Sequence, residues 1–298
     1  MDDLSHLGGW HNDPIEVIRI VNSMPYPNAA QAAYHFKGSG AGQTVLLYKA
    51  WKDVYGQYFP YPAQQIGCCV SRGYSEGVDL LGCVQIAIGK KAEVFKPTSH
   101  EAVYGMARVD IGGGRLWGDG AVGAWAAKAV TTIGTVPQEL VGPYDDAKCK
   151  LWGNRGVPAE VKAKAGEHKV GAASPVTDVD TLDDLLANGY PVPVCSNQGF
   201  TMTRDSNGFC QPRGSWAHCM LICGVRTDVP GYCIMQSWGM SVPDGPLALD
   251  QPPNSFWADR RTVASMLRME DTFALSSFDG YPGQRLPDHW SWDGFAVP

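Results

Sequence analysis

A thiol, an imidazole and an amide follow one another along this chain, each at the edge of a patterned segment. The thiol is Cys69, in Gln64-Gln65-Ile66-Gly67-Cys68-Cys69-Val70-Ser71, where a glycine-containing turn gives way to apolar residues. From there Val70, Tyr74, Gly77, Val78, Leu81 and Val84 recur at helical spacing, which predicts a helix beginning at or near Cys69. Unpaired backbone N–H groups and the positive dipole end at that terminus stabilise an anion, and a thiolate is an anion. The imidazole is His218, in Trp216-Ala217-His218-Cys219-Met220-Leu221-Ile222-Cys223-Gly224. The apolar run after it reads as a buried strand, so His218 opens a rigid β element. The amide is Gln236, which ends the strand-like run from Tyr232 and precedes Ser237-Trp238-Gly239.

His218 lies 149 positions after Cys69, within the roughly 130–150 that separate Cys and His in papain-type enzymes. With Gln-x-x-Gly-x-Cys, His-x-Met-x-x-x-Gly and Ser-Trp-Gly in this order, the chain resembles the papain-like (C1-type) cysteine peptidases. Its nearest likeness is to uncharacterised papain-like proteins of bacteriophages and some environmental bacteria. The resemblance runs from about Gln64 to Arg268. It implies an α+β, two-lobed fold: a helical lobe bearing the Cys helix, an antiparallel β lobe bearing His218, and a cleft between. It further implies Cys69 as nucleophile, His218 as its acid–base partner, and Gln236 as the group orienting the ring. An upstream Gln and the Cys69 N–H would form the oxyanion hole, with Trp238 shielding the His–amide contact from water. The family usually carries Asn where Gln236 stands, and an aromatic residue where Val70 stands. Its oxyanion Gln falls six residues before the Cys, here Ala63, which leaves Gln64 as first choice and Gln65 as the alternative. Two functions follow: a cysteine peptidase or related thiol acyl hydrolase acting on a peptide or protein, or a non-catalytic papain-fold structural protein such as a phage virion component. The latter would associate with itself or with phage structural proteins. Nothing in residues 1–60 resembles the family's prosegment.

The composition fits one globular unit. At 298 residues with 44% hydrophobic content, the chain has enough apolar material for a large core. A net charge of −6 gives no reason to expect nucleic acid or an anionic membrane as partner. No apolar run reaches the length of a membrane span, and Met1-Asp2-Asp3-Leu4 lacks the basic and apolar regions of a signal peptide. The nine cysteines read as buried free thiols of a reducing compartment, cytoplasmic or virion-associated. Cys219 and Cys223 beside His218 invite a zinc reading, but neighbours on a strand point to opposite faces and no Cys-x-x-Cys occurs, so neither metal nor cofactor is expected.

Residues 1–60 read as an N-terminal extension packing on the core, 61–188 as the mainly helical lobe and 189–298 as the mainly β lobe. Helices are expected over 44–56, 98–105, 121–130, 158–164, 181–188 and 259–269, with a strand or short helix at 15–21. Residues 103–111 read as turning extended toward Gly112-Gly113-Gly114, and strands over 191–196, 217–225, 232–238 and 272–278. The triple glycine lacks the Gly-Lys-Ser/Thr of a phosphate loop. The pairs Asp145-Asp146 and Asp183-Asp184, and His100 and His168, read as solvated surface groups. The aromatic tail, Trp290 to Val297, reads as core packing or a docking segment.

Overall fold

The computed structural model of the chain describes residues 7–90 and 94–291. Met1–Leu4 and the tail beyond Ser291 lie outside the described residues. In chain order the elements are α1 Pro14–Val21, α2 Ala29–Ala32, α3 Lys49–Tyr55, α4 Cys69–Ala87, α5 His100–Gly105, a π-helical turn Met106–Ile111, α6 Gly123–Thr132, α7 Asp146–Arg155 and α8 Ala159–Ala165. They continue as β1 Ala172–Pro175, α9 Val179–Ala187, β2 Val192–Phe200, β3 Pro212–Arg226, β4 Gly231–Met235, β5 Ser255–Asp259, α10 Arg260–Leu267 and β6 Phe273–Ser276. Strands β2 to β5 form an antiparallel sheet in chain order, and β1 pairs antiparallel with β6. The fold is therefore α+β, with helices gathered in the first part and the antiparallel sheet in the second.

Helix α4 joins the two parts. It is buried on nearly every side, as a helix must be when one face meets helices and the other meets a sheet. Gly73 permits the second contact: a Cβ there would lie 2.9 Å from Cys219 Sγ and 3.3 Å from the Met220 carbonyl oxygen. The helix thus lies directly on β3, and its N-terminus comes up beside the strand that carries His218. One continuous core runs through both parts, from Tyr48, Trp51 and Tyr74 to Leu221, Trp257, Phe273 and Trp290. Burying an apolar side chain of this size contributes about 1.5–3 kcal/mol.

The segments before α4 are tied into that core. Val45 exchanges both backbone hydrogen bonds with Val225 at 2.8 Å, and Leu46 N–H donates to the Trp290 carbonyl. This bridge uses the backbone that the apolar pattern had assigned to a helix from 44, so α3 begins only at Lys49. Residues 106–111 are a π-helical turn rather than an extended segment. Its wide turns carry the buried Arg108 guanidinium onto the carbonyls of Gly118 at 2.7 Å, Gly153 at 2.8 Å and Leu116 at 3.1 Å. Tertiary demand for those bonds overrides the β-branched pattern. His100 is buried, not a surface group, with its ring edge-on to Tyr61 and Tyr144. Asp183 and Asp184 are buried too: one accepts from Tyr232 and Arg260, the other from the Gly38 and Gly40 N–H groups.

Candidate active site

Cys69 begins α4, and its sulfur is fully buried. Gly9 N–H donates to it at 3.3 Å. Burial pushes the thiol well above its ordinary pKa, with the neighbouring Cys219 thiol adding to the effect. His218 sits on β3 opposite Ser196 of β2 and is also fully buried. Its ring stacks on Trp238 with centroids 4.4 Å apart. Neither ring nitrogen has a hydrogen-bond partner among the described residues, and burial pulls its pKa down to about 3. In this state the pair is a neutral thiol and a neutral imidazole with no hydrogen bond between them.

Gln64 and Gln65 face different ways. Gln64 is buried, and its Nε2 donates to the Leu7 carbonyl at 2.8 Å and to Ile66 at 2.9 Å. Its backbone N–H meets the Ser237 carbonyl at 2.9 Å, and its Oε1 accepts from the Ser237 hydroxyl. Gln65 is exposed, with only its backbone N–H directed at Asp146, at 3.3 Å. Gln236 lies at the end of β4, but its amide is committed to its own turn. Oε1 accepts from Trp238 N–H at 2.5 Å and Nε2 donates to the Val242 carbonyl. The structure therefore gathers Cys69, His218, Gln64 and Trp238 around β3 and the end of β4, and leaves Gln236 without a bond to the ring.

A segment with no sequence signal for the site completes it. Leu7 to His11 cross in front of Cys69 as a strap. Leu7 offers its carbonyl to Gln64, Gly9 its N–H to Cys69, and Trp10 its N–H to the Ala217 carbonyl at 3.0 Å. On the other edge Ala121 N–H donates to Gly9 O at 2.8 Å and His11 N–H to Ala121 O at 2.9 Å, a parallel pairing. Only glycine fits at position 9, because a Cβ would lie 1.9 Å from the Gly67 carbonyl oxygen. The Trp10 indole is buried, and its Nε1 donates to Asp271 Oδ2 at 2.7 Å. Asp271 also accepts the Gly123 and Ala124 N–H groups that open α6, each at 2.7 Å. Burial lifts its pKa to about 6 against these three donors. Arg108 fixes the loop to which the strap pairs, and Glu16 anchors helix α1 just beyond the strap, bonding Trp125 at 2.6 Å and Arg115 at 2.7 Å. Leu7, Gly9, Trp10, Arg108 and Asp271 all escaped the sequence reading. The one available hint was a glycine pair next to an isolated tryptophan.

A thiol-bearing helix laid on an antiparallel sheet that presents a histidine is the architecture of the papain-like cysteine proteases, and the chain has their fold. Among solved structures it is similar to xylellain, a cysteine protease from Xylella fastidiosa, at 16% identity and a TM-score of 0.58 over 93% of each chain. It is also similar to digestive procathepsin L2 proteinase from the larval midgut of Tenebrio molitor, at 14% identity and TM-score 0.51, covering 79% of this chain and 68% of that one. Procathepsin B S9 of Trypanosoma congolense aligns at 11% identity and TM-score 0.50, over 78% and 75%. No protein-family model matches the sequence, and no curated protein sequence matches it. Among the described residues no helix is long and apolar enough to cross a membrane.

Proposed function

We propose that the chain is a papain-like cysteine peptidase acting on peptide or protein substrates, with its own residues 7–11 lying in the substrate path. One observation carries this reading. The chain's own residues 7–11 already lie on these groups, with a carbonyl on Gln64 Nε2, an N–H on the Cys69 sulfur and an N–H on the Ala217 carbonyl. With the strap lifted and water admitted, His218 regains basicity and takes the Cys69 proton. The thiolate then attacks a substrate carbonyl, and the oxyanion that forms takes the place of the Leu7 carbonyl at Gln64. His218 protonates the departing amine, and a water deprotonated by His218 releases the acyl group. Gln236 takes up the orienting role once its amide leaves Val242. Gln65 faces away from this chemistry. The motif likeness to phage-encoded proteins suggests a virion or reducing cytoplasmic setting.

A second reading has its own observation. Both His218 nitrogens lack partners and the Gln236 amide is spent elsewhere, as suits a non-catalytic papain fold that serves in self-association or in assembly with phage structural proteins. Iodoacetamide labelling across pH 4–9 separates the two, using the Gly9→Ala variant to lift the strap. Fast alkylation of Cys69 well below pH 8, abolished by adding His218→Ala, supports the peptidase. A thiol titrating near its ordinary value of about 8.5 in the same variant overturns it in favour of the scaffold.

A further inference from the structure

On the other side of the Cys69 turn, Cys68 packs into the helical part of the chain. It is fully buried and shares a small cluster with Tyr104 and Cys149. Cys149, in the first turn of α7, packs in that cluster with Cys68, and the Tyr144 hydroxyl lies 3.6 Å from the Cys68 sulfur. The Arg72 guanidinium lies 3.9 Å from the centre of the Tyr144 ring. It is fully buried, and none of its three nitrogens has a hydrogen-bond partner among the described residues. Arginine cannot shed its charge, so a guanidinium so placed needs an anion nearby. Glu76, one turn along α4, does not supply it at neutral pH: burial holds its carboxyl up at about 8, and its Oε1 is also unpartnered. The Cys68 thiol, packed beside Tyr144, is the remaining acid near Arg72. Cys149 first, then Arg72 and Tyr144, bring it down to about 7 against the cost of burial.

We infer that Cys68 and Cys149 are a redox pair that closes to a disulfide when a hydroperoxide enters, with the unpartnered Arg72 guanidinium as the positioning residue for the Cys68 sulfur. The Cys68 sulfur attacks the hydroperoxide, an S–O bond forms as O–O breaks, and the departing oxygen leaves as water or an alcohol after taking a proton. Cys68 is then a sulfenic acid, two electrons poorer. The Cys149 sulfur attacks it, S–S forms as S–O breaks, and the hydroxyl leaves as water with the Cys149 proton. Tyr144, half-buried and donating to Asp146, covers the pocket, so its displacement admits the oxidant. The bond ties the turn before Cys69 to α7.

The test is mass spectrometry of the reduced full chain after brief exposure to one equivalent of hydrogen peroxide, quenched with iodoacetamide and digested without reductant. A Cys68–Cys149 cross-linked peptide is expected before any other of the nine cysteines is oxidised. Arg72→Met is expected to slow its formation at least tenfold. Cys149→Ser is expected to leave Cys68 as a sulfenic acid captured by dimedone, a readout that stands even if the arginine variant does not fold. The inference is overturned if Cys68 stays alkylatable while other cysteines oxidise, or if it links to Cys69 instead. None of these readouts depends on peptidase activity.

Discussion

Replacing Trp10 by alanine is expected to uncover Cys69 without unfolding the chain. The indole is 3% exposed and donates to Asp271 at 2.7 Å. Truncating a buried tryptophan costs about 3–5 kcal/mol. Asp271 keeps the Gly123 and Ala124 donors, so the loss falls on strap docking rather than on α6. At about 1.4 kcal/mol per factor of ten, the population with the strap lifted rises by roughly two to three and a half powers of ten. If opening is fast relative to alkylation, the iodoacetamide rate at Cys69 rises by the same factor, read by peptide mapping at neutral pH. Trp10→Phe keeps most of the ring and loses the bond to a carboxylate, worth about 1.5–3 kcal/mol, so its rate should lie between the two. Cys83, buried near the far end of α4 from Cys69, serves as an internal control. An unchanged Cys69 rate in folded Trp10→Ala protein would refute the claim that the strap covers the sulfur. Parallel acceleration at Cys83 would show that opening is global and refute a locally hinged strap.

Other perturbations test neighbouring parts of the molecule. With the strap lifted, Gln64→Ala is expected to lower kcat on a peptide substrate by about 10²–10³ with little change in KM. Gly73→Val forces a side chain against Cys219 Sγ and the Met220 carbonyl and should cost about 1–3 kcal/mol, seen as a lowered Tm. Stability should fall from about pH 4 to about pH 8 and level off above it, because burial raises Glu76 from 4.5 to about 8 and Asp79 from 3.8 to about 7. The unfolded chain releases both protons at the start of that window, whereas the folded chain gives them up only as pH passes the raised values. His218, pulled down from 6.5 to about 3, acts with the opposite sign: its contribution is present above about 6.5 and is lost as pH falls toward 3. Thermal melts across the range check this, and Glu76→Gln should flatten the upper part of the fall.

How much the sequence disclosed depended on how local each signal was. The helix from Cys69, the strand after His218 and the apolar runs of β2 and β4 are written in local pattern, whereas β5, Ser255–Asp259, was not expected. The choice between Gln64 and Gln65 depends on which way one turn faces, and only the packed chain decides that. Gln236 has the amide that the motif demands, yet its extra methylene lets it reach the Val242 carbonyl, a long-range outcome that spacing does not encode. Arg108 carried no signal of its own, yet it organises the loop from Leu116 to Gly120 from inside. The strap was invisible because, the Trp10 indole and His11 ring apart, its bonds are made by backbone atoms, which every sequence possesses.

The strap is joined to α1 by Asn12 and Asp13 alone, and α1 is held through Glu16 to Trp125 and Arg115. A strap that lifts therefore stays within a few residues' reach, at an effective concentration on the order of millimolar. If the chain is the peptidase proposed above, an incoming peptide would compete with that captive ligand, and its apparent affinity would be its intrinsic affinity scaled by the open fraction. Such a site would discriminate by strength of binding before any chemistry begins, turning away weak or scarce peptides. A single cut between Trp10 and Pro14 would convert the competitor into a dilute, dissociable peptide and remove that threshold at once.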